Sequence, residues 1–332
     1  MQTEITLEAP LTINWAINNS CNFACRHCYS REDAHDELDR DTLFASLEKV
    51  AKAGVFTVNF GGGEPLLRRD LLEVARFAGG RGLRISMNSN GWFIDGGMAA
   101  ALREAGFTKV GISIDSHLPD LHDRFRGVPG SHGRAVAALG HLKAAGIATS
   151  ISTVICRINH TAIDELVAFA REQGAGQINF HNFKCSGLGL ANKDELDLSP
   201  EEWKEFYRRA LAARAREKEL DISLDDPIIA LLGARDAGSL VKGSVCGKLS
   251  LNIKANGDIT PCGFIPIVIG NIVRDDLKQV WRDSPVLVKM RNKQPTGKCA
   301  GCGKYDDCLG GCTARALALT GDLNSPDPHC WA

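Results

Sequence analysis

The chain has 332 residues, 44% of them hydrophobic, with 39 basic and 40 acidic side chains and a formal charge of −1. A chain this long has room for a barrel-sized unit plus a smaller appendage, and its even charge, free of long one-sign runs, excludes an electrostatic grip on nucleic acid or an anionic membrane. No segment is long and apolar enough to span a bilayer, and the opening MQTEITLEAP carries acid where a signal peptide carries base, so a cytoplasmic chain is expected.

From residue 12 to about residue 181, short β-branched runs alternate with amphipathic stretches, the pattern of a parallel sheet with crossover helices. Strands are expected near 12–18, 55–60, 83–88, 109–114, 148–155 and 176–181, and helices near 41–53, 69–79, 97–105, 132–145 and 161–173. Gly54, Gly82, Gly106, Gly146 and Gly174 follow those helices as C-terminal caps do. Six such units are fewer than close a full TIM barrel, so the expected fold is α/β, a partial (β/α)6 barrel of TIM type, curved and open. Functional groups then belong after the C-terminal ends of the strands. Four polar clusters fall there: Cys21 after the first, Gly61-Gly62-Gly63-Glu64-Pro65 after the second, Asn88-Ser89-Asn90-Gly91 after the third and Asp115-Ser116 after the fourth.

From residue 186 to 245 the alternation stops, and 199–218 reads as a helix opened by Ser199 and Pro200 and favoured by Glu201 and Glu202 in its first turn. Beyond Cys246 come a hairpin turning at Asn256-Gly257-Asp258 and a loop-rich region that needs metals to hold it together. The expected domains are therefore 1–185 (barrel), 186–245 (helical bridge) and 246–332 (metal-rich appendage).

Twelve cysteines in a reducing compartment read as metal ligands rather than disulfides. They fall in two regions, with Cys156 and Cys185 isolated between them. Cys21-x3-Cys25-x2-Cys28 supplies three thiolates from one loop. Thiolates are the usual ligands of a 4Fe-4S cluster, and three of them leave one iron open to a cofactor or substrate. A zinc site completed by His27, or unligated core thiols, are the plainer readings.

The three cysteines, following the first strand of an α/β unit with His27 before the last of them, resemble the CxxxCxφC motif of the radical S-adenosylmethionine superfamily over residues 12 to about 181. The resemblance implies that the open iron chelates the methionyl amine and carboxylate of S-adenosylmethionine. One-electron reduction then yields a 5′-deoxyadenosyl radical that abstracts hydrogen from the substrate, and the ring of His27 packs near adenine. The Gly61–Pro65 segment lacks the Lys-Ser/Thr of a phosphate loop and presents an acid suited to an ammonium group. Gly62, Gly63 and Glu64 match the family's GGE motif; an ordinary βα turn is the alternative. Ser113 and Asp115 offer groups that bind ribose hydroxyls, which the family contacts at this strand end. Asn88 and Ser89 line the same rim, and Arg126 lies in a stretch, 122–127, that resembles related enzymes.

The far end reads Cys246-x10-Gly257-x4-Cys262, Cys299-x2-Cys302-x5-Cys308-x3-Cys312 and then Cys330. Seven thiolates and His329 could hold two zinc ions. The spacing instead resembles the SPASM auxiliary-cluster domain, which implies one 4Fe-4S cluster on Cys299, Cys302, Cys308 and Cys330 and another on Cys246, Cys262 and Cys312. The second set is one ligand short: no cysteine lies at 239–245, so either Cys185 reaches it or the position is open, while Cys156 reads as a core thiol. Together the resemblances imply a radical oxidoreductase or maturase with S-adenosylmethionine and three iron-sulfur clusters, acting on a peptide or small protein by crosslink, thioether or oxidation. An electron donor such as flavodoxin or ferredoxin is implied. Only about eleven residues precede the first expected strand, so recognition is either direct or through a separate leader-binding protein. Maturation of a haem- or pterin-type cofactor is the alternative, and sulfatase maturation would need a base that the sequence does not reveal. An iron-sulfur electron carrier or scaffold is the alternative of another class, against which the GGGEP turn argues.

Overall fold

The computed structural model describes residues 7–30, 36–234 and 241–332. The first six of the opening residues read above for a targeting signal, and Ser239 and Leu240 read for an upstream cysteine, lie outside the described residues. Strands β1 (Thr12–Asn18), β2 (Thr57–Gly62), β3 (Arg84–Ser89), β4 (Lys109–Ser113), β5 (Ala148–Ile155) and β6 (Gln177–Asn182) pair in that order, all parallel. The six expected strands are thus present, and parallel neighbours require the crossover helices that follow each of them. These are α1 (Arg40–Lys52), α2 (Leu71–Gly80), α3 (Gly96–Glu104), α4 (Pro119–Arg126), α5 (Ser131–Ala144) and α6 (Ile163–Glu172). Asp39 and Asp95 cap α1 and α3 by accepting from Thr42 N and Met98 N, each satisfying an otherwise unpaired donor. Helix α4 is an addition to the expected set. It has eight residues and buries only His122, Phe125 and Arg126, too few positions to print an apolar period on the sequence.

The segment expected to be a helical bridge holds the single-turn helices α7 (Leu188–Ala191) and α8 (Lys193–Leu196), then α9 (Pro200–Arg216) with a Ser199–Glu202 capping box. It also holds a strand, β7 (Asp221–Leu224), parallel to β6, so the bridge is not wholly helical. The expected hairpin forms as β8 (Ser250–Ile253) and β9 (Asp258–Thr260), followed by β10 (Gly270–Asn271). It is not detached, because β8 pairs parallel with β1. Among the described residues one ten-stranded sheet results, in the order β10-β9-β8-β1-β2-β3-β4-β5-β6-β7. The outer edges of β1 and β6 are taken by β8 and β7, so the six barrel strands do not close on each other. Helices α10 (Leu277–Asp283), α11 (Pro285–Arg291), α12 (Tyr305–Cys308) and α13 (Thr313–Thr320) complete the C-terminal part.

Side chains alternate across each strand, and the two faces differ sharply. One carries Ile13, Trp15, Ile17, Val58, Phe60, Ile85, Met87, Val110, Ile112, Ile151, Ile178 and Phe180, all buried in the main core with the crossover helices. The other carries Asn14, Asn59, Ser86, Asn88, Ser113, Ser152 and Asn179, half-buried or exposed. A closed barrel fills its interior with packed branched side chains. This inner face is instead an open polar floor, and the strand ends form its rim.

Candidate active site

The rim is assembled by the chain's approach to itself. Gly63 N donates to Asn18 O at 3.0 Å and Glu64 N to Ser20 O at 2.8 Å. Asn18 Nδ2 returns a bond to Glu64 O at 2.7 Å. A Cβ at Gly63 would stand 2.0 Å from Ser20 O, and one at Gly62, where φ is +118°, 2.3 Å from Asn18 O. The two glycines are therefore needed to lay the β2 turn against the start of the cysteine loop. Glu64 is buried, and its carboxylate accepts from Ser89 Oγ at 2.8 Å, Asn90 N at 2.8 Å and Leu66 N at 3.3 Å. Burial pushes it up to about 7 despite those donors. Its main visible task is to tie the turns after β2 and β3 together.

Within the loop Cys21 is exposed, Cys25 buried and Cys28 half-buried. The end of α4 fixes it: Ala24 N donates to Arg126 O and Arg26 N to Phe125 O, both at 3.2 Å. Arg126 is buried with Nη1 3.8 Å from Cys25 Sγ and Nε 2.6 Å from Asp115 Oδ2. Asp115 Oδ1 accepts from Val154 N at 2.9 Å. Burial alone would raise the Asp115 carboxyl, but Arg126 overrides it and holds the group below its ordinary value. Asp115, expected to serve a ribose, has its carboxylate enclosed and bonded to Arg126 and Val154 N, because a buried charge requires a partner. Ser113 stands half-buried on the inner face at the end of β4. The ring of His27 stacks on Phe125, centroids 4.5 Å apart at 17°, and its Nδ1 is buried without a partner among the described residues. Burial, helped by Arg126, pushes His27 down to about 3, so the ring is neutral. A flat neutral ring with an orphaned polar atom beside three thiols fits the adenine end of the expected cofactor.

In the C-terminal part, Cys299, Cys302, Cys308 and Cys330 line one small cavity with Tyr305, Gly310 and Gly311. Cys246, Cys262 and Cys312 lie together elsewhere, beside Ile265 and Met290. A hydrogen bond from Cys262 holds Cys246 down at about 7. Among the described residues no three His, Cys, Asp or Glu side chains converge as a single ion requires; a four-iron cluster spreads its cysteines, one to each iron. Cys185 does not join the second group. Its thiol donates to Asp197 Oδ2 at 3.4 Å, and the same oxygen meets His329 Nε2 at 2.8 Å. The neighbouring Lys184 is the residue whose charge is felt at Cys312 and Cys246. Cys185→Ser should accordingly leave the iron content of reconstituted protein unchanged, whereas Cys312→Ala should lower it by up to about four irons per chain. Equal losses from both would restore Cys185 as a ligand. Cys156 is a core thiol, fully buried and pushed up by burial to about 12.

Tyr29 links the two regions and was not singled out from sequence, although its position next to Cys28 was a signal. Its ring lies on Gly263, where a Cβ would be 3.0 Å away, and 4.5 Å from the ring of Phe264. Desolvation by its neighbours pushes its phenol up to about 12, although the residue keeps 36% of its surface exposed. No helix among the described residues is long and apolar enough to cross a membrane.

Residues 15–170 match the model of the radical SAM superfamily, and 246–303 match that of an iron-sulfur cluster-binding domain, SPASM. The chain is 32% identical to the mycofactocin maturase MftC of Mycolicibacterium smegmatis, over 99% of this chain and 84% of that one. It is 28% identical to an AdoMet-dependent heme synthase of Methanosarcina barkeri, over 97% and 96%. Its fold is similar to Streptococcus suis SuiB bound to the precursor peptide SuiA, with a TM-score of 0.82 at 19% identity, covering 98% of this chain and 77% of that one. Fold, site and likeness define one class: the chain belongs to the radical SAM superfamily and to its SPASM-bearing branch. It is thus an enzyme whose cofactors are S-adenosylmethionine and iron-sulfur clusters.

Proposed function

We propose that this enzyme is a maturase that modifies a peptide or small protein in the cytoplasm by hydrogen abstraction, forming a crosslink, a thioether or an oxidised side chain. The observation that carries the reading is the open inner face. A floor of Asn14, Asn59, Ser86, Asn88, Ser113, Ser152 and Asn179 offers amide and hydroxyl groups to an extended backbone, where a macrocycle would call for apolar walls. A maturase at 32% identity over nearly the whole chain supports it.

In this reading residues 1–185 generate the radical, 186–245 bridge, and 246–332 carry the auxiliary clusters. Cys21, Cys25 and Cys28 hold the first of three 4Fe-4S clusters; Cys299, Cys302, Cys308 and Cys330 hold the second; Cys246, Cys262 and Cys312 hold the third, with its fourth position open. When bound, the first cluster and S-adenosylmethionine supply the 5′-deoxyadenosyl radical. The chain's own residues position them. Arg126 offsets negative charge at Cys25, Glu64 locks two rim turns, His27 on Phe125 presents a face to adenine, and Ser113 reaches a ribose hydroxyl. An electron donor such as flavodoxin or ferredoxin serves the first cluster, and the substrate is recognised directly or through a separate leader-binding protein.

The haem synthase relative favours a second reading, in which the substrate is a tetrapyrrole. Reconstituted wild type, S-adenosylmethionine and dithionite should be incubated with synthetic peptides from the short reading frames beside its gene, with a mycofactocin precursor and with an iron porphyrin. A mass change in a peptide is expected. A change in the porphyrin alone would transfer the conclusion to cofactor maturation, and no change in any would overturn both.

A further inference from the structure

The rim holds a His–Asp pair that the cofactor site does not use. His181 stands on β6 opposite Val154 of β5, in the inner-face series with Asn179 and Gln177. Its Nδ1 lies 2.9 Å from Oδ2 of Asp225, the residue just past β7. The two side chains are 40% and 50% exposed, and both stand on the inner-face side of their strands, toward the polar cleft. With the carboxylate at Nδ1, that nitrogen carries the proton and donates it, which leaves Nε2 as the lone-pair acceptor of a ring that is 40% exposed. This is the arrangement of a base oriented by a third group.

Its surroundings give the pair a direction. Partial desolvation works against an imidazolium, but Asp225, with Asp115 farther off and Lys184 opposing, prevails and holds His181 above its ordinary value. Asp225 is also close enough to Cys246 for its charge to be felt there, as is that of Lys184. The sheet therefore curves until the end of β7 approaches the auxiliary cysteines next to β8. A substrate lying in the cleft reaches this pair on its auxiliary side.

We propose that His181 accepts a proton from the substrate during its oxidation, with Asp225 as the positioning residue that fixes the tautomer; this rests on the maturase reading above. Abstraction breaks a substrate C–H bond homolytically, and the hydrogen atom leaves as part of 5′-deoxyadenosine. The remaining substrate radical becomes a closed-shell product by losing one electron and one proton. An auxiliary cysteine set with its iron-sulfur cluster bound would supply the one-electron oxidant that takes up this electron. The proton goes from a substrate N–H, O–H or S–H to His181 Nε2, and thence to solvent. The substrate loses two hydrogens in all, one as an atom and one as a separated proton and electron. A base of this kind is what the sequence alone did not reveal.

The test uses the reconstituted holoenzyme with whichever of the above peptides, or the porphyrin, wild type modifies, comparing wild type, His181→Gln and Asp225→Asn. For His181→Gln, product formation should fall by about 10² or more, while iron content and 5′-deoxyadenosine formation stay within about twofold of wild type. The acid limb of the product-formation pH profile should vanish in His181→Gln. In Asp225→Asn it should move to lower pH, because loss of the carboxylate lowers the imidazole pKa. A His181→Gln enzyme that forms product at the wild-type rate overturns the proposal alone, as does one that loses iron and nucleoside formation in step with product. If wild type changes no offered molecule, the maturase reading itself fails and this proposal falls with it.

Discussion

Replacing Gly63 with alanine is expected to slow S-adenosylmethionine cleavage about a hundredfold or more while the chain stays folded. The new Cβ would stand 2.0 Å from Ser20 O and 2.5 Å from Ser20 C. Both are backbone atoms, so no rotamer change relieves the overlap, and the β2 turn must retreat by about an ångström, since carbon contacts relax only near ~3.5 Å. That retreat breaks the bonds from Gly63 N to Asn18 O and from Glu64 N to Ser20 O. Ser20 immediately precedes Cys21, so the displacement arrives where the reacting groups are held, and misplacement by about an ångström costs about 10² in rate. The 5′-deoxyadenosine formation rate and the thermal melting curve check the two halves of the expectation. A wild-type rate would mean that the close approach is dispensable.

The second large effect concerns the seam between barrel and C-terminal part. Arg315 on α13 is fully buried, with Nη1 2.7 Å and Nη2 2.8 Å from the two oxygens of Asp226, just past β7. Its Nε and Nη2 also bond Asp327 at 2.9 Å and 2.5 Å. Asp226 further accepts from Tyr207 Oη on α9 at 2.6 Å, and Asp327 accepts from Cys312 N at 2.7 Å. One guanidinium thus ties β7, α9 and a cysteine of the auxiliary region together. Arg315→Met leaves two buried carboxylates without the guanidinium that bonds them both and is expected to lower stability by about 3–5 kcal/mol. Denaturant unfolding measures this; a loss below about 1 kcal/mol, the size of an exposed pair, would contradict the role. Burial would raise the Asp226 carboxyl, but Arg315 overrides it and holds it well below its ordinary value. Stability from this pair is therefore complete above the unfolded pKa of about 3.9 and is lost as pH falls through the folded value. Arg315→Met should flatten that acid dependence.

Long-range partners are what the sequence withheld. The six barrel strands and the cysteine sets were legible because their signals are local, carried by period and by spacing within short loops. Asp226 and Arg315 stand 89 positions apart, and His181 and Asp225 stand 44 apart, so nothing in either neighbourhood announces the other. Asp115 reads as a free polar group after a strand, because Arg126 arrives on α4, a helix too short to be visible. Cys185 illustrates direction: it lies one position from Lys184, which faces Cys312, yet its thiol points to Asp197. The pairing of β8 with β1 joins residues 12–15 to 250–253, and a short strand buried on both sides carries no mark of its neighbour.

The central claim is that one cysteine loop cleaves S-adenosylmethionine and two further cysteine sets hold iron-sulfur clusters. It is tested most directly by anaerobic reconstitution with iron and sulfide, counting iron per chain, then assaying 5′-deoxyadenosine with dithionite in wild type and a Cys21→Ala, Cys25→Ala, Cys28→Ala variant. About twelve irons in wild type and about eight in the variant, with nucleoside formed by wild type alone, is the expected result. Zinc in place of iron, or equal nucleoside from both proteins, would contradict it.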